Sequence, residues 1–396
     1  MKDDKKLDVI LERFYQRYNK YNTEVLKKLG EAIKKFDGVS PSMAHKIAQE
    51  LKYGKDIDDL INELSVLSDK SIEDIEKSFE LVAKENVEFA EIYAKAKNME
   101  FVDYANNEQL KGLVEAIVKE TEGTFKNISN SQAVGFVIKD KNGNKLFKDL
   151  RQVYYDVIDE AVFNVATGVT DYQSAMRNVI KQLATSGVKV HEEKVDYASG
   201  YNRRIDSTVR QNVLTGIRQL NINIQERVGQ QFGADGVEIS AHSPCAEDHL
   251  GIQGKQFSKK DFARINSDLE RPIGTYNCRH FVFSVVLGVN KPSYTSSMLR
   301  QMNKDSRSII EYDGKKYTSY EATQVQRKLE TEIRKQKDLQ IIARASGNKE
   351  VVGKAQENIG ILTSKYNDFS SSAGLKTYKN RLTVSGYHKI NVAKMK

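Results

Sequence analysis

Residues 237–257, VEISAHSPCAEDHLGIQGKQF, and residues 276–287, YNCRHFVFSVVL, decide how the middle of this chain reads. In the first, Val237, Glu238, Ile239 and Ser240 alternate in polarity as a short strand does, and they run straight into His242. In the second, Phe281 to Leu287, with Val282, Val285 and Val286, has the β-branched density of a buried strand and leaves directly from Cys278 and His280. Two strands thus hold two ligand-rich turns together, and the mostly polar stretch between Phe257 and Ile273 lets one turn fold onto the other. The 39 residues from His242 to His280 contain three of the six histidines and both cysteines of the chain, which makes a metal-closed loop the first hypothesis.

Zinc takes about four nitrogen or sulfur ligands, and the window offers five: His242, Cys245, His249, Cys278 and His280. The preferred set is His242, His249, Cys278 and His280, with Cys245 as an alternate, and the expected cofactor is a structural zinc. The spacing is not that of a zinc finger, since no CxxC pair occurs. A second reading stays open, in which His242 and His249 hydrogen-bond loop backbone and Cys278 is a small buried hydrophobe at a strand start. A third reading places Asp248, Glu247 or His249 as a general base beside an open metal position, as in a metal-dependent nuclease. His242, Asn277 and His280 invite that comparison, although the spacing between them does not match a metal-finger nuclease. A Walker-type phosphate loop and a GxGxxG after a strand are both absent from the sequence, so nucleotide hydrolysis and dinucleotide redox chemistry have no home in it.

Outward from this window the chain is mainly helical. Upstream, Ile205, Val209, Val213, Ile217, Leu220, Ile224 and Val228 form one apolar stripe, predicting a helix from Arg203 to Phe232. Arg203, Arg204, Arg210 and Arg218 lie off that stripe, and Arg203, Arg204 and Arg210 read as surface ion-pair partners rather than a phosphate site. Helical periodicity also covers Leu7 to about Ile128, broken at Gly38-Val39-Ser40-Pro41, and the segments Leu150–Ala166 and Tyr172–Ala184. Between these, Phe136-Val137-Ile138 and Lys145-Leu146-Phe147 flank an Asn-Gly turn and predict a β-hairpin. Downstream, Ile309–Tyr312 and Lys316-Tyr317 flank Asp313-Gly314 as a second hairpin. Thr318 and Glu321 make a capping box for a helix that closes near Gly347, and another helix follows it. The fold class expected is α+β and predominantly α-helical. Its parts are a helical region with an inserted hairpin at 1–190, a small α/β module carrying the His/Cys cluster at 191–290, and a basic helical hairpin region at 291–396.

A hydrophobic content of 39%, a charged content of 29% and a mean hydropathy of −0.57 describe a polar, soluble protein. No apolar run approaches the roughly 18 residues of a membrane span, and the first residues, MKDDKKLDVILERF, are charged where a secretory leader needs an apolar core. The expectation is synthesis in a cytoplasm and no membrane partner. Net charge is +8, but residues 291–396 carry 21 Lys+Arg against 10 Asp+Glu, so the basicity sits in the last hundred residues. Two readings fit that tail equally: a surface for nucleic acid or another acidic partner, and a solvated helical face.

Four dissimilar stretches then carry a resemblance: VDYASGYNRRIDSTVRQNVLTG (Val195–Gly216), EISAHSPCAEDHLGIQGKQF (Glu238–Phe257), YNCRHF (Tyr276–Phe281) and YEATQVQR (Tyr320–Arg327). In this order they resemble the phage minor capsid protein 2 family, akin to the Mu-type minor head morphogenesis proteins. With the helical run from Val153 to Val188, the resemblance spans at least residues 150–340. The family's usual tryptophan before Gln-Gly-Lys is Ile252 here, and Cys245 departs from the family pattern, which places it below the other four as a ligand. The resemblance implies a structural virion component, not an enzyme, made in the bacterial cytoplasm. It also implies a place in the capsid interior near the portal protein, and a role with other head proteins in head assembly or DNA packaging. The basic tail suits contact with packaged DNA. The alternatives carried beside it are a virion-delivered metal-dependent nuclease and an internal DNA-binding head protein.

Overall fold

A computed structural model describes residues 4–96, 104–129, 132–140, 142–168, 171–191, 203–231, 233–275 and 278–391. In chain order the elements begin with α1 (Asp4–Lys34), α2 (Pro41–Lys52), α3 (Asp56–Ala96) and α4 (Glu108–Ser129). A hairpin follows, β1 (Val134–Lys139) and β2 (Lys145–Asp149), then α5 (Leu150–Ala166), α6 (Tyr172–Ser186), β3 (Lys189–Val190), β4 (Arg203–Arg204) and the long α7 (Ile205–Gln231). The middle of the chain adds β5 (Gly236–Ile239), α8 (Glu247–Leu250), β6 (Gln256–Ser258), α9 (Lys259–Ser267) and β7 (Val282–Val285). The last elements are α10 (Ser296–Arg307), β8 (Ile309–Tyr312), β9 (Lys315–Thr318), α11 (Ser319–Ala345) and α12 (Lys349–Ser372). The fold is α+β and predominantly helical, with small antiparallel sheets in the orders β2-β1-β3-β4, β6-β5-β7 and β8-β9.

Local chemistry accounts for most boundaries. Ser40 caps α2 by accepting from Met43 N–H, with Pro41 in the first turn, where its missing N–H costs nothing. Asp149 caps α5 and Asp171 caps α6 in the same way. Between β8 and β9, Asp313 (φ 51°) and Gly314 (φ 68°) both take the positive φ that a tight two-residue hairpin needs. At the start of α11, Thr318 N–H donates to Glu321 Oε2 at 2.7 Å while Glu321 N–H donates to Thr318 Oγ1 at 3.2 Å, so the capping box is complete.

The chain forms two compact units, and neither is a continuous segment. Unit 1 comprises residues 1–12, 71–124 and 210–324; unit 2 comprises 13–70, 125–209 and 325–396. The three consecutive regions expected at 1–190, 191–290 and 291–396 do not correspond to them, because each unit draws on all three. In unit 2 the Phe125 ring packs at 6.2 Å from both Phe14 and Tyr18, all fully buried. In unit 1 a buried cluster of Val237, Ile239, Ile273 and Val282 is covered by Ile222, Ile252, Phe257, Phe262, Leu269 and Cys278. This cluster is the floor on which the His/Cys turns stand.

The arginines of the long helix depart from expectation. Arg203 and Arg204 lie in β4, not in a helix, and Phe232, its expected last residue, is outside the described residues. Arg204 is buried rather than on the surface, and Arg218, off the apolar stripe, is buried as well. Arg204 donates to Asp338 at 2.5 Å and to Asp206 at 3.3 Å. Asn22 and Asn19 donate to the same two carboxylates, so both acids are hydrogen-bonded inside the core of unit 2.

Candidate metal centre

The register of β5 against β7 brings the two turns together. Ile239 pairs with Val282, Ser240 N–H donates to Phe281 O at 2.9 Å, and Phe281 N–H donates to Ser240 Oγ at 2.8 Å. His242 therefore leaves one strand end beside the point where His280 enters the other, and their rings stand 4.3 Å apart. The short α8 presents His249, whose ring meets that of His280 edge-on at 5.1 Å. Cys245 is fixed by its N–H donating to Ser306 Oγ of α10 at 3.1 Å. Both cysteines are free thiols.

All five candidate residues lie at this spot, but they do not form one tetrahedron. The ligand atoms of His242, Cys245 and His280 lie within 4.8 Å of one another, and so do those of His249, Cys278 and His280. His280 belongs to both groups: its Nε2 is 3.7 Å from Cys245 Sγ, and its Nδ1 is 3.4 Å from Cys278 Sγ. The lone pairs of an imidazole point to opposite sides of the ring, so one ion cannot use both nitrogens. The expected quartet of His242, His249, Cys278 and His280 is thus divided, and Cys245, ranked last from the sequence, completes one of the two halves. Asn277 lies outside the described residues.

Hydrogen bonds orient the rings. His242 Nδ1 faces Pro244 O at 3.1 Å, which makes Nδ1 the protonated nitrogen and leaves the lone pair on Nε2. That Nε2 is buried and has no hydrogen-bond partner among the described residues, a state that costs about 1–3 kcal/mol if nothing ligates it. His249 Nε2 donates to Arg271 O at 2.7 Å, and its imidazole hydrogen-bonds Cys278. The thiol–imidazole separation in each group, 3.7 Å for Cys245 and 3.4 Å for Cys278, matches one edge of a tetrahedron built with metal bonds of about 2.0–2.3 Å, and imidazole with thiolate is a donor set that suits zinc.

Burial sets the proton affinities. It lowers His242 to about 4, helped by the nearby Arg279 charge, and lowers His280 to about 2, helped by His242 and His249. Both rings are therefore neutral, the form that binds metal. Burial raises the Cys245 thiol to about 12, with Cys278 next to it adding to the rise. For Cys278 burial also acts upward, but the hydrogen bond from His249 and those from backbone outweigh it and the thiol is lowered.

Residues beyond the five candidates complete the surroundings, and sequence reading missed them. Gln253 is buried, accepts from His242 N–H at 3.0 Å and donates to Asn303 Oδ1 at 2.9 Å. Arg271 grips both carboxylate oxygens of Asp248, at 2.6 and 3.2 Å, and donates to the Tyr320 hydroxyl at 2.6 Å. Arg218 reaches His280 O at 3.3 Å and lies 3.6 Å above the Phe281 ring. Of these, Gln253 stood inside a quoted motif; Ser306, Arg271 and Arg218 gave no local signal. The two carboxylates weighed as general bases are occupied, Asp248 by Arg271 and Glu247 by Arg307 at 2.5 Å.

With the geometry in place, the comparison with known proteins is decisive. The family model for phage minor capsid protein 2 matches residues 3–370, nearly the whole chain. The chain belongs to the phage minor capsid protein 2 family. As a family member it is a structural component of the phage head, located in the virion, and its partners include other head proteins. No curated protein and no solved structure matches it. No helix among the described residues is long and apolar enough to cross a membrane.

Proposed function

We propose that this minor capsid protein works from the capsid interior beside the portal, as a structural part in head assembly or DNA packaging, with its basic C-terminal residues against packaged DNA. The observation that carries this reading is the family match over residues 3–370. The charge distribution supports it: Lys328, Arg344, Lys349, Lys365, Lys376 and Lys379 are exposed on unit 2, available for sequence-independent phosphate contacts. Not every basic residue of the tail is so placed, since Arg334 bonds the Tyr15 hydroxyl at 2.7 Å and Arg307 pairs with Glu247. Turnover is not required by this role, and the engagement of Asp248 and Glu247 in ion pairs weighs against the nuclease alternative.

The test is cross-linking mass spectrometry on assembled heads with and without DNA. Cross-links from this chain to the portal protein are expected, with lysine protection at 328, 349 and 365 only in filled heads. Digestion of the chain by protease added outside intact heads would overturn the interior placement. Cleavage of duplex DNA by the purified, zinc-loaded chain would favour the nuclease instead.

A further inference from the structure

We propose that unit 1 binds one zinc ion through His242 Nε2, Cys245 Sγ and His280 Nε2, and that His249 and Cys278 do not ligate it.

Two triads compete for His280, and hydrogen bonding separates them. In the His249–Cys278 triad the polar atoms already have partners: His249 Nε2 has Arg271 O at 2.7 Å, its ring bonds Cys278, and Cys278 Sγ faces His280 Nδ1 at 3.4 Å. That side is a closed hydrogen-bonded chain within protein and needs no ion. In the other triad Cys245 Sγ has only long contacts, to Ala246 O at 3.4 Å and His280 Nε2 at 3.7 Å, and His242 Nε2 is buried and unpartnered while its Nδ1 is held by Pro244 O, so that ring is pinned with a lone pair that no protein group uses. Metal-binding histidines are oriented by such a bond from the second nitrogen to a carbonyl.

The neighbours permit the ion. Cys245 Sγ lies 3.7 Å from His280 Nε2, a tetrahedral edge, and its backbone is fastened to Ser306 of α10. Gln253 Oε1 is 3.4 Å from His280 Nε2, a long contact that the ring gives up on binding metal. Gln253 then keeps its shorter bonds to His242 N–H and Asn303. Binding releases one proton, from the Cys245 thiol, and leaves a fourth coordination position for water or the Gln253 oxygen. The effect is to tie the turn after β5 to the start of β7.

The experiment is metal analysis of the full chain purified with zinc, followed by cobalt(II) substitution, on wild type and five variants. His242→Asn, Cys245→Ser and His280→Asn should each lose the bound equivalent, whereas His249→Asn and Cys278→Ser should keep it. The cobalt–thiolate charge-transfer band should survive Cys278→Ser and vanish in Cys245→Ser. Far-UV circular dichroism identifies any variant that fails to fold, and the wild-type band then decides, because one thiolate gives about half the intensity of two. A wild-type chain without metal, retention of zinc in Cys245→Ser, loss in folded Cys278→Ser, or a two-thiolate band would each overturn the proposal.

Discussion

Lys189 in β3 sits directly opposite Arg204 in β4, two cations paired across the sheet. Burial, and then the charge of Arg204, lowers its amine from 10.5 to about 8. The unfolded chain therefore binds the proton more tightly than the folded one. The resulting penalty is fully present below about pH 8 and is gone above about pH 10.5, so stability rises with pH through that window. Lys189→Met should stabilise unit 2 by about 2 kcal/mol at pH 7 and add little charge-related gain at pH 11. Urea unfolding at the two pH values checks this; an equal gain at both would trace the effect to apolar burial alone. Gly216 in α7 is a second position with a single-atom reason. A Cβ there would stand 2.6 Å from Thr121 Oγ1 and 2.7 Å from Phe79 Cζ, both buried in unit 1. Although alanine is the better helix former, Gly216→Ala should cost about 1–3 kcal/mol through overpacking, read as a lower melting temperature.

Element boundaries follow from interactions within a few residues. The capping box at Thr318 and Glu321 starts α11 where the sequence placed it, and Thr318→Ala should cost about 1 kcal/mol, seen as faster amide exchange in the first turn of α11 alone. The hairpin of β1 and β2 has the expected turn, Val137 opposite Phe147, with Gly143 at φ 84°. Elements of two or three residues were not legible: β3, β4 and β6 are held by partners distant in sequence, as in Val190 opposite Arg203. Arg204 was misjudged for the same reason. Its nearest acceptor, Asp338, is 134 residues away, and nothing local distinguishes it from a surface arginine. Arg204→Leu should destabilise unit 2 by about 3–5 kcal/mol, because the buried Asp206 and Asp338 lose the one guanidinium that is hydrogen-bonded to both. Denaturant unfolding measures it, and a loss below about 1 kcal/mol would mean that water reaches the two carboxylates.

At the scale of the whole molecule, interleaving changes what a truncation means. Removing residues 291–396 would take Asn303 and Ser306 from the candidate metal centre in unit 1 and Asp338 from the core of unit 2. Such a deletion should damage both units, so charge substitution is the sound test of DNA contact. Neutralising Lys328, Arg344, Lys349 and Lys365 together should leave the melting temperature unchanged while flattening the salt dependence of DNA binding. The slope of log K against log salt should fall by about 1 for each residue that touches a phosphate. An unchanged slope would assign the tail's charge to solvation.

The sequence alone determined the helical character, the hairpin turns, the capping box at Thr318 and Glu321, the family and the five residues that gather around His280. Each rests on a period of 3.6 or 2, a positive φ, a side chain three residues from its backbone partner, or a run of matching motifs, all of which lie along the chain. Only the tertiary structure decided that the five divide into two triads, that Cys245 belongs to one of them, and that Arg204 and Arg218 are buried. Those outcomes depend on the register of β5 with β7, on α10 reaching Cys245 from 61 residues away, and on which face of His280 each thiol meets. Such distances are set by packing between remote segments, and no local pattern encodes them.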